Sequence, residues 1–371
     1  MTASPVTSLL ATNVREPAPG PRRRRLSFRW KLLFALVPVT ALVVTGELCA
    51  RSYRAGKGLS PFMVGSYRDQ RIDLIRRGYP AAHDALLGYV PRAGVAGNSN
   101  RWGKRVSIDE HGLRRNGMGP HALGQACVLA VGDSFTFGDQ VADEDTWPAR
   151  LEQAIKRPVL NGGVFGYSFA QTVLRAEQLM ARFPVDCLVV SLIRDDLSRC
   201  ELSKRFTPVP WYDLVNGELV LKNVPVPDSD KDNEMDRQYV RKLLGYSALL
   251  DMLFWNSVPE WWVGDQREVR QHEHGVGREI GKKLLDRLAA ECKDKGVRLL
   301  VVMQGSEVEK DAMLFVEYAR EIGVEVLDLM TRFVCLAERD PNLRRKYFAG
   351  HMTAAGNAWV AGEIAAVFFG M

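Results

Sequence analysis

The chain of 371 residues has six cysteines but no Cys-x-x-Cys pair, no internal repeat and, beyond residue 31, no surplus of positive charge. Each absence removes a class of function. Without paired cysteines there is neither a zinc ribbon nor a thioredoxin-like dithiol. Without repeats there is no solenoid or propeller. The net charge is +6, yet Arg15, Arg22, Arg23, Arg24, Arg25, Arg29 and Lys31 stand against Glu16 alone in residues 1–31. That flank holds the whole surplus, so residues 32–371 lack the basic footprint of a nucleic-acid-binding domain. Metal ligands are equally sparse. His272-Glu273-His274 is the nearest approach, but residues i and i+2 do not share a helix face and no further ligand follows. It reads as a solvated loop, and His83, His111 and His121 have no partners in sequence. No metal and no cofactor is expected.

What is present begins with one apolar run. Leu32 to Gly46 carries no charge, and with Trp30 at one end and Leu48 to Ala50 at the other it reaches roughly 20 residues, enough to cross a bilayer. Trp30 suits the headgroup belt, while Lys31 and Arg51 can snorkel. Positive charge is denser before the run than after it, which puts residues 1–31 in the cytoplasm and everything past residue 50 outside. A cleaved signal peptide shares the basic flank and the short apolar core. Glu47 and Leu48 stand where a cleavage site would want small residues, which favours an uncleaved anchor over 32–50. An outside location permits a disulfide, with Cys200 and Cys335 as loop candidates whose pairing sequence does not decide. Cys127 and Cys187 fall in apolar runs and read as core residues.

Residues 1–21 read as disordered, and 51–122 form an N-terminal extension with short strand-like pieces such as Leu86–Tyr89 and Arg105–Ile108. From Ala126 the pattern becomes strands alternating with helices, which predicts a parallel sheet covered on both faces. Strands are expected at Ala126–Val131, Pro158–Asn161, Val185–Ile193, Val297–Met303 and Val324–Leu329. Helices are expected at Trp147–Ile155, Ala170–Phe183, Gly277–Lys295, Asp311–Ile322 and Ala354–Phe368. The stretch 197–276 breaks the rhythm with five prolines, a hairpin signal at Val215-Asn216-Gly217-Glu218 and Trp255, Trp261 and Trp262. It reads as an insertion or lid whose tryptophans either pack it down or form a substrate wall.

The residues that carry chemistry start at Val128–Gly138, where an apolar strand runs directly into Gly132-Asp133-Ser134 and glycine returns at 138. A serine just past the C-terminal end of a parallel strand sits where α/β sheets bind ligands. Its backbone N–H can serve a developing oxyanion there. A plain strand-to-helix turn capped by serine fits the same tripeptide. Asp139, Asp143, Glu144 and Asp145, which follow, read as a solvated loop and helix start.

Three blocks in order then resemble the GDSL-type esterases, also called SGNH hydrolases. They are Gly132-Asp133-Ser134…Gly138, Asn161-Gly162-Gly163-Val164-Phe165-Gly166-Tyr167 and Gly350-His351-Met352-Thr353-Ala354-Ala355-Gly356-Asn357. The resemblance covers residues 126–371. A weaker one, Leu87-Gly88-Tyr89 before Gly112-Leu113-Arg114, links the extension to membrane-anchored bacterial relatives. The resemblance implies a three-layer α/β/α domain of flavodoxin-like type with about five parallel strands, over 123–371. It implies Ser134 as nucleophile, His351 as base, and the backbone N–H groups of Ser134 and Gly166 as oxyanion donors. With the sidedness given by the basic flank, the expectation is an inner-membrane protein with its catalytic domain in the periplasm. That place favours acylated glycans or lipids as substrates, as in some members of the family that the chain resembles.

Two positions depart from that pattern. Asp195, in Arg194-Asp195-Asp196, stands where the family has an oxyanion asparagine; an ionised carboxylate has no proton to donate. Arg194 would replace it as a donor if turned inward, and otherwise forms a surface ion pair. The family acid two or three residues before the histidine is absent, Ala349 standing there, and Asp196, Asp328 and Asp340 are the candidates to replace it. An esterase or deacylase is expected. The alternatives are an O-acyltransferase of surface polysaccharide and a catalytically impaired, membrane-tethered binding protein. Oligomeric state is left open.

Overall fold

The computed structural model describes residues 27–56, 66–68, 81–99, 103–117, 124–205, 207–228, 239–263 and 268–371. It divides into two units, residues 1–62 and 63–371. In the first, a single helix α1 (Phe28–Gly56) contains a 28-residue stretch, Phe28–Ala55, of mean hydropathy 2.1, long and apolar enough to cross a membrane. At 1.5 Å per residue it spans about 42 Å, more than the roughly 30 Å of a bilayer's hydrocarbon. The anchor expected at 32–50 lies inside it. The disordered tail expected at 1–21 lies outside the described residues, as does His121.

The second unit opens with a hairpin of β1 (Ala81–Asp84) and β2 (Gly88–Pro91). It is then built on five strands, β3 (Cys127–Gly132), β4 (Val159–Asn161), β5 (Val185–Leu192), β6 (Arg298–Met303) and β7 (Glu325–Asp328). All pairings are parallel and the spatial order is β7-β6-β5-β3-β4. Side chains alternate across the sheet. Leu129, Val131, Leu188, Val190, Val301 and Met303 face one layer, into which α4 (Phe169–Met180), α6 (Val276–Lys295) and α7 (Lys310–Glu321) send Val173, Leu284, Leu288 and Phe315. Val128, Ala130, Val189, Leu300 and Val302 face the other, packed by Trp147 and Leu151 of α3 (Trp147–Ile155) and Val360, Ile364 and Phe368 of α9 (Ala354–Phe369). This is a three-layer α/β/α architecture around a five-stranded parallel sheet.

Between these lie α2 (Ser134–Phe137), α5 (Arg194–Arg199) and α8 (Leu329–Arg339). The last was not expected: its N-cap Asp328 sits inside the apolar run of β7, which hides the boundary. The insertion forms the hairpin Trp211–Val215/Glu218–Lys222, with Asn216 and Gly217 both at positive φ as a tight turn requires. Its tryptophans divide. Trp262 is fully buried with its indole N–H on Asp251 at 2.8 Å, whereas Trp261 is exposed. The cysteines form no disulfide; Cys200 is buried and Cys335 exposed.

Two contacts set the distance between the ends of the domain. Asn357, on the first turn of α9, accepts from Trp147 N–H at 2.9 Å. Its amide group donates to Thr353 O at 3.0 Å. One side chain thereby ties the segment around His351 to the start of α3.

Candidate active site

Ser134 opens α2 directly after β3. Asp133 caps that short helix, accepting from Phe135 N–H, and Gly138 ends it in the left-handed region at φ 85°. Gly132 is required by space: a Cβ there would lie 2.2 Å from Ser191 O, a backbone atom of β5. The loop after β4 is locked to this turn, since Asn161 donates from its amide to Thr136 O at 3.1 Å and accepts from Gly163 N–H.

His351 comes from the other end of the chain. Phe348–Ala349 and His351–Met352 pair antiparallel around Gly350, which takes φ 89°. This tight reversal holds the imidazole so that Nε2 lies 3.0 Å from Ser134 Oγ. The serine is 6% exposed, while the histidine side chain is 29% exposed, so the pair is reached from the imidazole side. Among the described residues neither Ser134 N–H nor Gly166 N–H has a hydrogen-bond acceptor. The two groups expected to meet an oxyanion are thus unspent donors.

None of the three carboxylates named from sequence serves the imidazole. Asp328 caps α8 through Thr331, Asp340 accepts from Asn342 N–H, and Asp196 is held by Ile193 N–H and Arg199. Instead Asp139 Oδ2 lies 3.5 Å from His351 Nε2, and the neighbouring Gln140 accepts from His351 N–H at 3.3 Å. Asp139 was expected in a solvated loop, yet it is 1% exposed. Asp143, assigned to the same loop, is fully buried and paired with Arg114. The acidic cluster is therefore half interior, with Asp143 opposite the buried Arg114 and Asp139 beside the His351 ring.

Arg114 was not singled out from the sequence as a candidate site residue. It is fully buried and donates to Phe137 O, Gly138 O and Val141 O as well as to Asp143. Its N–H bonds to Asn161 O at 3.0 Å, so the extension also runs against β4. Arg114 thereby clamps the turn that carries the serine and the loop that carries Asp139. Burial pulls its pKa below the usual guanidinium value, partly offset by Asp143.

Asp195 is 53% exposed and paired with Arg194, which also reaches Glu309. Arg194 has thus the surface ion pair and not an inward donor role. The more enclosed cation on this side is Arg199, its side chain 11% exposed, 3.5 Å from Asp133 Oδ2 and hydrogen-bonded to Asp196 Oδ1. Burial and the charge of Asp133 push the Asp196 carboxyl well above the ordinary range. Burial acts downward on Arg199, but Asp196 and Asp133 more than offset it and its pKa is raised. Asp133 Oδ2 also accepts from Ser134 Oγ at 3.3 Å, so the serine hydroxyl lies between a carboxylate and the imidazole.

His272 packs on Trp211 and reaches Tyr212 O, and His274 is exposed; no metal-binding group occurs among the described residues. His83 is held by Val226 O and His111 stacks edge-on against Phe183.

No protein-family model matches the chain, and no curated protein matches it. Among solved structures, GDSL-type hydrolases align with it. A lipolytic protein of the G-D-S-L family from Desulfitobacterium hafniense is 15% identical over 66% of this chain and 100% of its own, with a TM-score of 0.38. TesA is 12% identical over 64% and 95%, with a TM-score of 0.36. The acetylxylan esterase Axe2 from Geobacillus stearothermophilus is 14% identical over 66% and 95%, also at 0.36.

Proposed function

We propose that this chain is a serine-dependent ester hydrolase, tethered by α1 and acting outside the cytoplasm on acylated glycans or lipids. The observation that carries the reading is the 3.0 Å contact between Ser134 Oγ and His351 Nε2, made across 217 positions of sequence. A hydroxyl and an imidazole at proton-sharing distance form a nucleophile with its base. Ser134 attacks the ester carbonyl as its proton passes to Nε2. The tetrahedral oxyanion is met by the N–H groups of Ser134 and Gly166. On collapse, Nε2 returns the proton to the leaving alcohol, and water, activated by the same nitrogen, releases the acid. Asp139, beside Nε2, stabilises the transient imidazolium in place of the acid that Ala349 lacks. The extracytoplasmic side is supported by the basic flank preceding α1. That placement favours acyl groups on surface glycans or lipids over soluble metabolites.

The test is turnover of a short-chain aryl ester by the full chain and by Ser134→Ala. Serine-dependent turnover supports the hydrolase. Activity that survives the substitution removes Ser134 from the chemistry, and a wild type without turnover favours a tethered binding protein. Acyl transfer from the same donor to a sugar hydroxyl in preference to water identifies an O-acyltransferase.

A further inference from the structure

The loop that carries Gly166 is held from outside the sheet by its carbonyls. Tyr89, on β2 of the N-terminal extension, donates its hydroxyl to Phe165 O at 2.8 Å. Arg205 donates to Gly166 O and Arg199 to Tyr167 O, each at 3.0 Å. Three consecutive carbonyls are thus fixed by three separate side chains. The tyrosine is itself locked, because Tyr167 returns its hydroxyl to Tyr89 O and the Tyr89 ring stacks on Phe165 at 5.7 Å. Burial pushes the Tyr89 hydroxyl far above the ordinary tyrosine value, so it remains a proton donor throughout the working pH range.

Peptide planarity makes the consequence specific. The C=O of residue 165 and the N–H of residue 166 belong to one rigid trans unit and point in opposite directions. Whatever holds Phe165 O therefore aims Gly166 N–H. That N–H has no acceptor among the described residues, and Gly166 sits at φ 72°, where glycine has little intrinsic preference to keep the peptide from rotating.

We infer that Tyr89 is a positioning residue for the hydrolase reaction: its hydroxyl fixes the Phe165–Gly166 peptide and so aims the Gly166 N–H at the oxyanion. The inference rests on the hydrolase reading above. It makes the extension before the sheet a working part of the site.

The experiment is Tyr89→Phe in the full chain, which deletes one oxygen and keeps the ring packing. Tyr212→Phe serves as the control, since that buried hydroxyl accepts from Arg287 away from the serine. Complete loss of an oxyanion donor costs about 10² to 10³ in kcat, and a misaimed one is expected to cost about 10 to 10². KM should stay within about twofold, because the donor acts on the transition state and not on the bound ester. A crystal structure of Tyr89→Phe should show the 165–166 peptide rotated or in two orientations. Unchanged kcat, a fall shared equally by Tyr212→Phe, or an unmoved peptide overturns the inference. Absence of Ser134-dependent turnover in the wild type defeats the hydrolase reading separately, and the orientation of the peptide in the variant then decides whether Tyr89 holds it.

Discussion

Asp139 Oδ2 lies 3.5 Å from the same His351 nitrogen that faces Ser134 Oγ at 3.0 Å. A carboxylate on the distal nitrogen would fix the tautomer; one on the proximal nitrogen acts by charge. Asp139→Asn should lower kcat at least about tenfold, with the roughly 10⁴ lost on neutralising a triad acid as the upper bound. Removing the negative charge disfavours the imidazolium, so the acid limb of the pH–rate profile should move to lower pH. An unshifted profile with full activity would leave Asp139 structural.

Ala349 pairs directly with His351 across the reversal at Gly350, and residues opposite each other in an antiparallel pair project to one face. Ala349→Asp should place a carboxylate beside the imidazole. In the Asp139→Asn background it should recover at least about tenfold of the lost kcat, whereas in the wild type its effect should be smaller. Equal effects in both backgrounds would show that the two acids do not share a task.

Arg114 donates to four backbone carbonyls, those of Arg105, Phe137, Gly138 and Val141, and pairs with the buried Asp143. Arg114→Met keeps much of the packing but removes one of two cations from the buried Asp143, leaving it Arg105 at 3.7 Å and Ser107 N–H at 3.0 Å. The loss is therefore bounded above by the about 3–5 kcal/mol of a fully broken buried pair. Denaturant unfolding should show that loss, and Arg114→Lys should recover only part of it because an ammonium lacks the planar fork. A loss below about 1 kcal/mol would show that water replaces the guanidinium without penalty.

Burial pushes the Cys127 thiol up to about 11 and those of Cys187, Cys200 and Cys292 up to about 12. At pH 8 less than about one in a thousand of these thiols is the reactive thiolate. A charged thiol reagent should therefore modify at most Cys49 and Cys335 in the native chain, and all six cysteines after denaturation. A third fast thiol would contradict the packing of the sheet.

The sheet was legible because its strands are apolar runs buried on both faces, and the helices between them keep a single apolar face. The expected Trp147–Ile155 matches α3 at both ends, where Thr146 caps one end by accepting from Ala149 N–H. α8 was hidden because its cap, Asp328, is a single acid with apolar residues on both sides, Leu327 before it and Leu329 and Met330 after it, so strand and helix read as one run. Within the candidate site, the meeting of Ser134 and His351 was legible through the ordered blocks that surround them. Asp139 and Arg114 were not. A charged residue in sequence reads as solvent-facing, and only tertiary structure shows the distant partners that allow it inside: an imidazole 212 positions on, and carbonyls 23 to 27 positions on. Tyr89 was hidden for the same reason, since its partner is a main-chain oxygen 76 positions away.

The side chain of Asn357 faces two neighbours of opposite polarity, a main-chain donor at Trp147 and a main-chain acceptor at Thr353. An isosteric acid could satisfy the first but would set a lone pair against the second. Slow chemical ageing of that one amide would thus loosen the tie between the histidine segment and α3, separating Ser134 from His351 while both side chains remained intact.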